Sequence, residues 1–93
     1  MQLLRISLVR GKRGVGCREY QVVIDVGGKR TVTCPIVVEE IGDTGIPIHM
    51  RSALERELGM AIAADVAAKV MSFDDGHDLD FPTPISPVSV SSS

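Results

Sequence analysis

The 93 residues include no tryptophan, one tyrosine and two phenylalanines, so any core must be built from aliphatic side chains. The same scarcity removes the aromatic platforms on which single-stranded nucleic acids stack their bases. Only two cysteines are present, Cys17 and Cys34, and neither belongs to a Cys-x-x-Cys pair. That excludes a disulfide framework and the usual zinc or redox motifs, and predicts two free thiols. No run of about 18 apolar residues occurs, which excludes a transmembrane helix. The N-terminal stretch has Arg5 inside its apolar run and no small-residue cleavage site, so no secretory signal is expected and the predicted location is cytoplasmic.

An excess of one charge also looks absent, the formal net charge being −2. The average conceals a division. Residues 1–34 hold seven basic side chains against Glu19 and Asp25, a net of +5, whereas residues 35–93 hold three basic against ten acidic, a net of −7. Four of the basic residues, Arg10, Lys12, Arg13 and Arg18, lie in a glycine-rich stretch, and two more, Lys29 and Arg30, follow Gly27-Gly28.

What is present is strand periodicity followed by helix periodicity. Leu4, Ile6 and Leu8 alternate with Arg5, Ser7 and Val9; Tyr20, Val22, Ile24 and Val26 alternate with Gln21, Val23 and Asp25; and Val32, Cys34, Ile36 and Val38 stand at alternate positions of a third run. Period two with β-branched enrichment reads as half-buried strands. A three-residue loop of Gly27-Gly28-Lys29 sets Ile24 opposite Val32, Val22 opposite Cys34 and Tyr20 opposite Ile36, whereas a two-residue loop mixes the faces. Residues 10–18 become the first hairpin loop, with Leu8 near Tyr20 and Ile6 near Val22. Ile46 to Met50 reads as a fourth strand if it lies at an edge, where Pro47 is tolerated.

Ser52-Ala53-Leu54-Glu55 has the form of a capping box, and Leu54, Leu58, Ile62, Val66 and Val70 recur every four residues to Met71. Gly59 weakens this helix and allows a kink or a break there. The expected fold class is α+β: an antiparallel meander of three strands, or four, with one long C-terminal helix on its apolar face. A small domain of residues 1–73 is expected, followed by a flexible acidic and Pro/Ser-rich tail over residues 74–93.

Several motifs have simple structural readings. Gly11-Lys12-Arg13-Gly14 has the GxxG form that clamps nucleic-acid backbone between two helices, but its flanks read as strand. Asp43-Thr44-Gly45 is the aspartic-protease tripeptide, yet Gly42 and two glutamates precede it and turn chemistry accounts for it. His77 among Asp74, Asp75, Asp78 and Asp80 lacks the register of a calcium loop and the ligand count of a zinc site, so no metal and no cofactor are expected. Cys17 beside Arg13 and Arg18 has no histidine near it in sequence. With no catalytic constellation, the chain is not expected to be an enzyme.

The expected function is a small non-catalytic protein–protein interaction module, a regulator or inhibitor of a larger protein or complex, of a kind that mobile elements also encode. Its expected contact is the tail segment Phe73, Asp74, Asp75, Asp78, Leu79, Asp80 and Phe81, ordering in a partner's groove. The main alternative is a nucleic-acid-backbone binder using Arg10, Lys12, Arg13, Arg18, Lys29 and Arg30. A structural subunit of a larger assembly is a third class. The alanines of the helix suit a homodimer by close helix approach, and the acidic tail suits an intramolecular cover for the basic loops.

Overall fold

The computed structural model describes residues 1–40 and 47–86. Its seven elements are β1 (Gln2–Lys12), β2 (Val15–Gly27), β3 (Arg30–Glu40), β4 (Pro47–Met50), α1 (Ser52–Leu58), α2 (Met60–Asp74) and β5 (Thr83–Pro84). The class is α+β, with a curled antiparallel sheet in the order β4-β3-β2-β1-β5 and two helices packed on one face. The Gly42–Gly45 segment with its Asp-Thr-Gly and Ile46 of the expected fourth strand, together with Pro87, Val88 and the terminal serines, lie outside the described residues.

The strand periodicity fixes the sheet as expected in register. Tyr20 faces Ile36, Val22 faces Cys34 and Ile24 faces Val32 across β2 and β3. The turn that delivers this register differs in detail. Its tip is Gly28-Lys29, both at positive φ, and the extra residue is absorbed by a bulge at Val26, between the pairs Asp25–Thr31 and Gly27–Arg30. Gly27 N–H donates to the Asp25 carboxylate at 2.8 Å, a local turn bond that replaces a ladder bond lost at the bulge. A bulge and a two-residue tip leave the register as a three-residue loop leaves it.

The β1–β2 hairpin departs further. Ile6 does face Val22 and Leu8 does face Tyr20, but the expected nine-residue loop is mostly strand, with its tip at Arg13-Gly14 and register shifts between Leu8 and Arg10 and between Arg10 and Lys12. A further shift between Leu3 and Arg5 leaves Leu4 unpaired, so the buried residues of β1 are Leu3 and Ile6, while Leu8 is 40% exposed. The expected Leu4-Ile6-Leu8 stripe is thus corrected by one bulge, because an inserted residue reverses the alternation on its far side.

The single long helix is corrected to two. Gly59, at φ 85° and ψ 164°, lies outside helical space; its N–H bonds to the Glu55 carbonyl (2.9 Å) and its carbonyl accepts from Ala63 (3.0 Å), so one residue ends α1 and begins α2. The capping box does not form. Arg51 occupies the cap with no side-chain bond, and Glu55 instead accepts from Arg51 Nε at 3.3 Å. The four-residue stripe still finds the sheet, with Leu54, Val66 and Val70 buried and Leu58 and Ile62 packed at its margin. Each such aliphatic side chain contributes about 1.5–3 kcal/mol on burial. Ala63 and Ala67 are buried too, so part of the small-residue surface of α2 closes the chain's own core.

The boundary expected after Phe73 falls inside α2, whose last residue is Asp74. Beyond it, Thr83 and Pro84 add β5 to β1 opposite Leu3 and Gln2, and Ile85 enters the core. Asp65 fixes this return by accepting from Ser86 N–H at 3.0 Å while it pairs with Lys69 at 2.6 Å.

Candidate functional site

Arg18 has the same parity on β2 as Tyr20, Val22 and Ile24, so the strand carries its guanidinium into the core, where it is 2% exposed. A buried cation requires a partner, since its desolvation costs several kcal/mol. Asp74 supplies it from the end of α2 and is itself 3% exposed. Arg18 donates Nε to Asp74 Oδ1 at 2.9 Å and Nη2 to Oδ2, and its Nη1 reaches the Gly16 carbonyl at 2.6 Å. Tyr20 Oη also donates to Asp74 Oδ1, and Gly14 N–H adds a fourth donor at 3.0 Å. One carboxylate therefore ties the tip and inner face of the first hairpin to the C-terminus of α2.

Arg13 completes the arrangement from outside. Its guanidinium lies 3.8 Å from the Phe73 ring centroid, its Nε donates to the Phe73 carbonyl, and its Nη2 reaches the His77 carbonyl at 3.3 Å and Asp78 at 4.0 Å. Phe73 in turn meets Tyr20 edge to face at 5.8 Å. Here the acidic segment does cover part of the basic hairpin, at Arg13 and Arg18.

The electrostatics follow from this geometry. Burial raises the Asp74 carboxyl, but bonds from Arg18, Tyr20 and Gly14 and the Arg18 charge outweigh it, leaving a net value below the usual carboxylate range. Burial, the bond to Asp74 and its negative charge push the Tyr20 phenol up to about 12. A raised phenol favours the neutral form in the fold, so its contribution is intact below the unfolded value near pH 10 and is lost between roughly pH 10 and 12. Tyr20 is the only tyrosine and there is no tryptophan, so phenolate absorbance reports this residue alone. Native protein is expected to show phenolate formation displaced upward by about two pH units, and Tyr20→Phe to remove about 3 kcal/mol of alkaline destabilisation. Phenolate appearing near pH 10 in folded protein contradicts the clamp.

The six cations considered for nucleic-acid contact are consequently dispersed. Arg18 is buried, Arg13 lies on Phe73 and Arg10 pairs with Glu19 at 2.6 Å. Lys12 is exposed near the first tip, and Lys29 and Arg30 are exposed at the second, the far end of β2. Of the seven tail residues, Asp74 and Phe73 are built into the clamp, Leu79 packs against the core, Asp75, Asp78 and Asp80 are exposed, and Phe81 is at the surface.

Cys17 is exposed and Cys34 buried, both as free thiols; burial, then the Glu57 charge, raises the Cys34 thiol. His49, on β4 opposite Val38, has a buried Nδ1 with no hydrogen-bond partner among the described residues, and burial followed by the Arg51 charge lowers its pKa against the opposing pull of Glu55. No pocket opens and no cluster of metal-ligating side chains forms among the described residues. No helix among them is long and apolar enough to cross a membrane.

What remains is the outer edge of β1. Beyond Gln2 and Leu3, which pair with β5, this strand has a ladder partner only on its β2 side among the described residues. From Arg5 to Leu8 the pairing to β2 is regular, and the strand carries no proline. On the opposite side of the sheet, β4 covers β3 only over Val37–Glu40, and the stretch of β3 before it is interrupted by Pro35, which has no N–H to offer a partner. Leu8 and Val9, 40% and 54% exposed, stand on β1, and Val15 is exposed at the start of β2. Sequence reasoning missed this site because it weighs side chains, whereas an open edge is a property of which strand lies outermost. No family model, no curated protein and no solved structure matches the chain.

Proposed function

We propose that the chain is a non-catalytic interaction module that binds another polypeptide, as a regulator or inhibitor of a larger protein. The observation that carries this reading is the one-sided pairing of β1 between Arg5 and Lys12, with Leu8 and Val9 exposed along it. An unpaired strand edge offers backbone donors and acceptors in a row, which an extended segment of a partner satisfies by strand addition. The nucleic-acid reading loses support because Arg18 is buried and Arg13 lies on Phe73, which leaves Lys12 at one end of β2 and Lys29 and Arg30 at the other.

A photoreactive residue at Val9 in the full chain, expressed in its native cells, is expected to trap one defined polypeptide. The same group at exposed Ala68 on α2 serves as the comparison. Adducts at Ala68 without adducts at Val9, or nucleic acid as the only species at Val9, contradict the proposal.

A further inference from the structure

Resting on the interaction-module reading, we propose that the β1 edge takes an extended peptide in which acidic and apolar residues alternate. The two faces of the edge differ in chemistry. Arg5 and Ser7 pair with Val23 and Gln21, and Arg10 with Glu19, all alternate to the buried residues of β2, so they lie on the face away from the core. Lys12 follows at the end of the strand. Arg5 and Lys12 are exposed and make no ion pair among the described residues, while Arg10 shares Glu19. On the core-side face, Ile6 is buried and Leu8 is partly exposed. A strand laid beside Arg5–Leu8 places alternate side chains on the cationic face and on the apolar face, because successive strand residues point to opposite sides.

That pattern selects among occupants. A second copy pairing β1 against β1 brings the unpaired Arg5 and Lys12 of both chains onto one short edge, and like charges on paired strands are unfavourable. The same Arg and Lys that deter self-association attract an acidic segment. The chain contains such a segment itself: Asp78-Leu79-Asp80-Phe81 alternates acid and apolar residues, with Asp78 near Arg13 and the following Thr83 paired to Leu3. No ladder pairs residues 78–82 with β1.

The test is fluorescence anisotropy of the full chain with a labelled synthetic hexapeptide alternating Asp and Val. Affinity is expected to fall at least about tenfold for the same composition in blocks and for Lys in place of Asp. Methylating alternate backbone nitrogens of the peptide, in one phase of the two, is expected to abolish binding without touching the protein. Arg5→Glu combined with Lys12→Glu is expected to weaken binding to a similar degree, with unchanged circular dichroism, and Lys29→Glu with Arg30→Glu to leave it unchanged.

Equal binding of alternating and blocked peptides overturns the proposal, as does full binding by both methylated phases. Equal loss on charge reversal at Lys29 and Arg30 does the same, by showing diffuse attraction. A dimer of the free chain that the peptide does not dissociate assigns the edge to a second copy, and displacement of the peptide by an oligonucleotide at equal concentration assigns it to nucleic acid. Should Val9 cross-link a polypeptide while no alternating acidic peptide binds, the ligand chemistry fails and the module reading stands.

Discussion

Replacing Asp74 by alanine is expected to lower the unfolding free energy by about 3–5 kcal/mol, enough to leave a domain of this size partly unfolded at room temperature. Three donor residues converge on this carboxylate: Arg18 twice, Tyr20 and Gly14. Removing it leaves a buried guanidinium without its counter-charge and a buried hydroxyl without its acceptor. Nothing in the helix favours an acid there, since Asp74 lies in the last turn of α2, where the helix dipole disfavours negative charge. Removing both charges is different from removing one. Arg18→Met with Asp74→Leu is expected to recover most of the loss, because an apolar pair of similar bulk needs no counter-charge. The clamp also predicts acid sensitivity. A depressed carboxyl stabilises above its unfolded value near pH 4, and that contribution is lost as pH falls through the lower folded value. Chemical denaturation of the three proteins between pH 2 and 7 checks both points: wild-type stability declines over the acid range, and the double variant loses that component.

Gly11→Ala is expected to cost about 2–4 kcal/mol, nearly as much, from a position with no chemistry at all. Gly11 lies at φ +84°, and a Cβ built on it meets the Cys17 carbonyl oxygen at 2.5 Å and the Arg18 Cα at 2.9 Å. Both are backbone atoms of the paired strand, so the hairpin itself must open to make room. Opening it there moves Arg18 away from Asp74. Gly16 is the internal comparison: its φ is +60°, but a Cβ there meets nothing within 4 Å, so Gly16→Ala is expected to cost only about 1–2 kcal/mol for the left-handed backbone. Equal losses at the two positions contradict the close strand approach.

The clamp was more legible in the sequence than its charges suggest. Arg18 falls in step with Tyr20, Val22 and Ile24, and Asp74 is the next member of the series Leu54, Leu58, Ile62, Val66, Val70. A cation and an anion each standing on an apolar stripe is the pattern of a buried pair. Grouping Arg18 with the loop cations and Asp74 with the acidic tail obscured it. The register of β2 against β3 was readable because both strands bury one face, so a slip of one residue is penalised along their whole length. The bulges at Leu4 and Val26 were not, since each depends on how the partner strand and its turn accommodate an extra residue. β5 escaped for another reason: two residues beside a proline, Thr83 and Pro84, have no period to detect and join the sheet only because β1 presents an unpaired edge.

The most direct measurement of that edge is amide hydrogen exchange, residue by residue, on the full chain with and without the alternating acidic peptide. In the free protein the amides of Arg5–Lys12 that point away from β2 are expected to exchange quickly, beside slow neighbours bonded to β2. On adding the peptide, those fast amides are expected to become protected, with no comparable change at Lys29, Arg30 or α2. Protection of the outward amides already present in the free chain, or protection appearing only away from β1, contradicts the account.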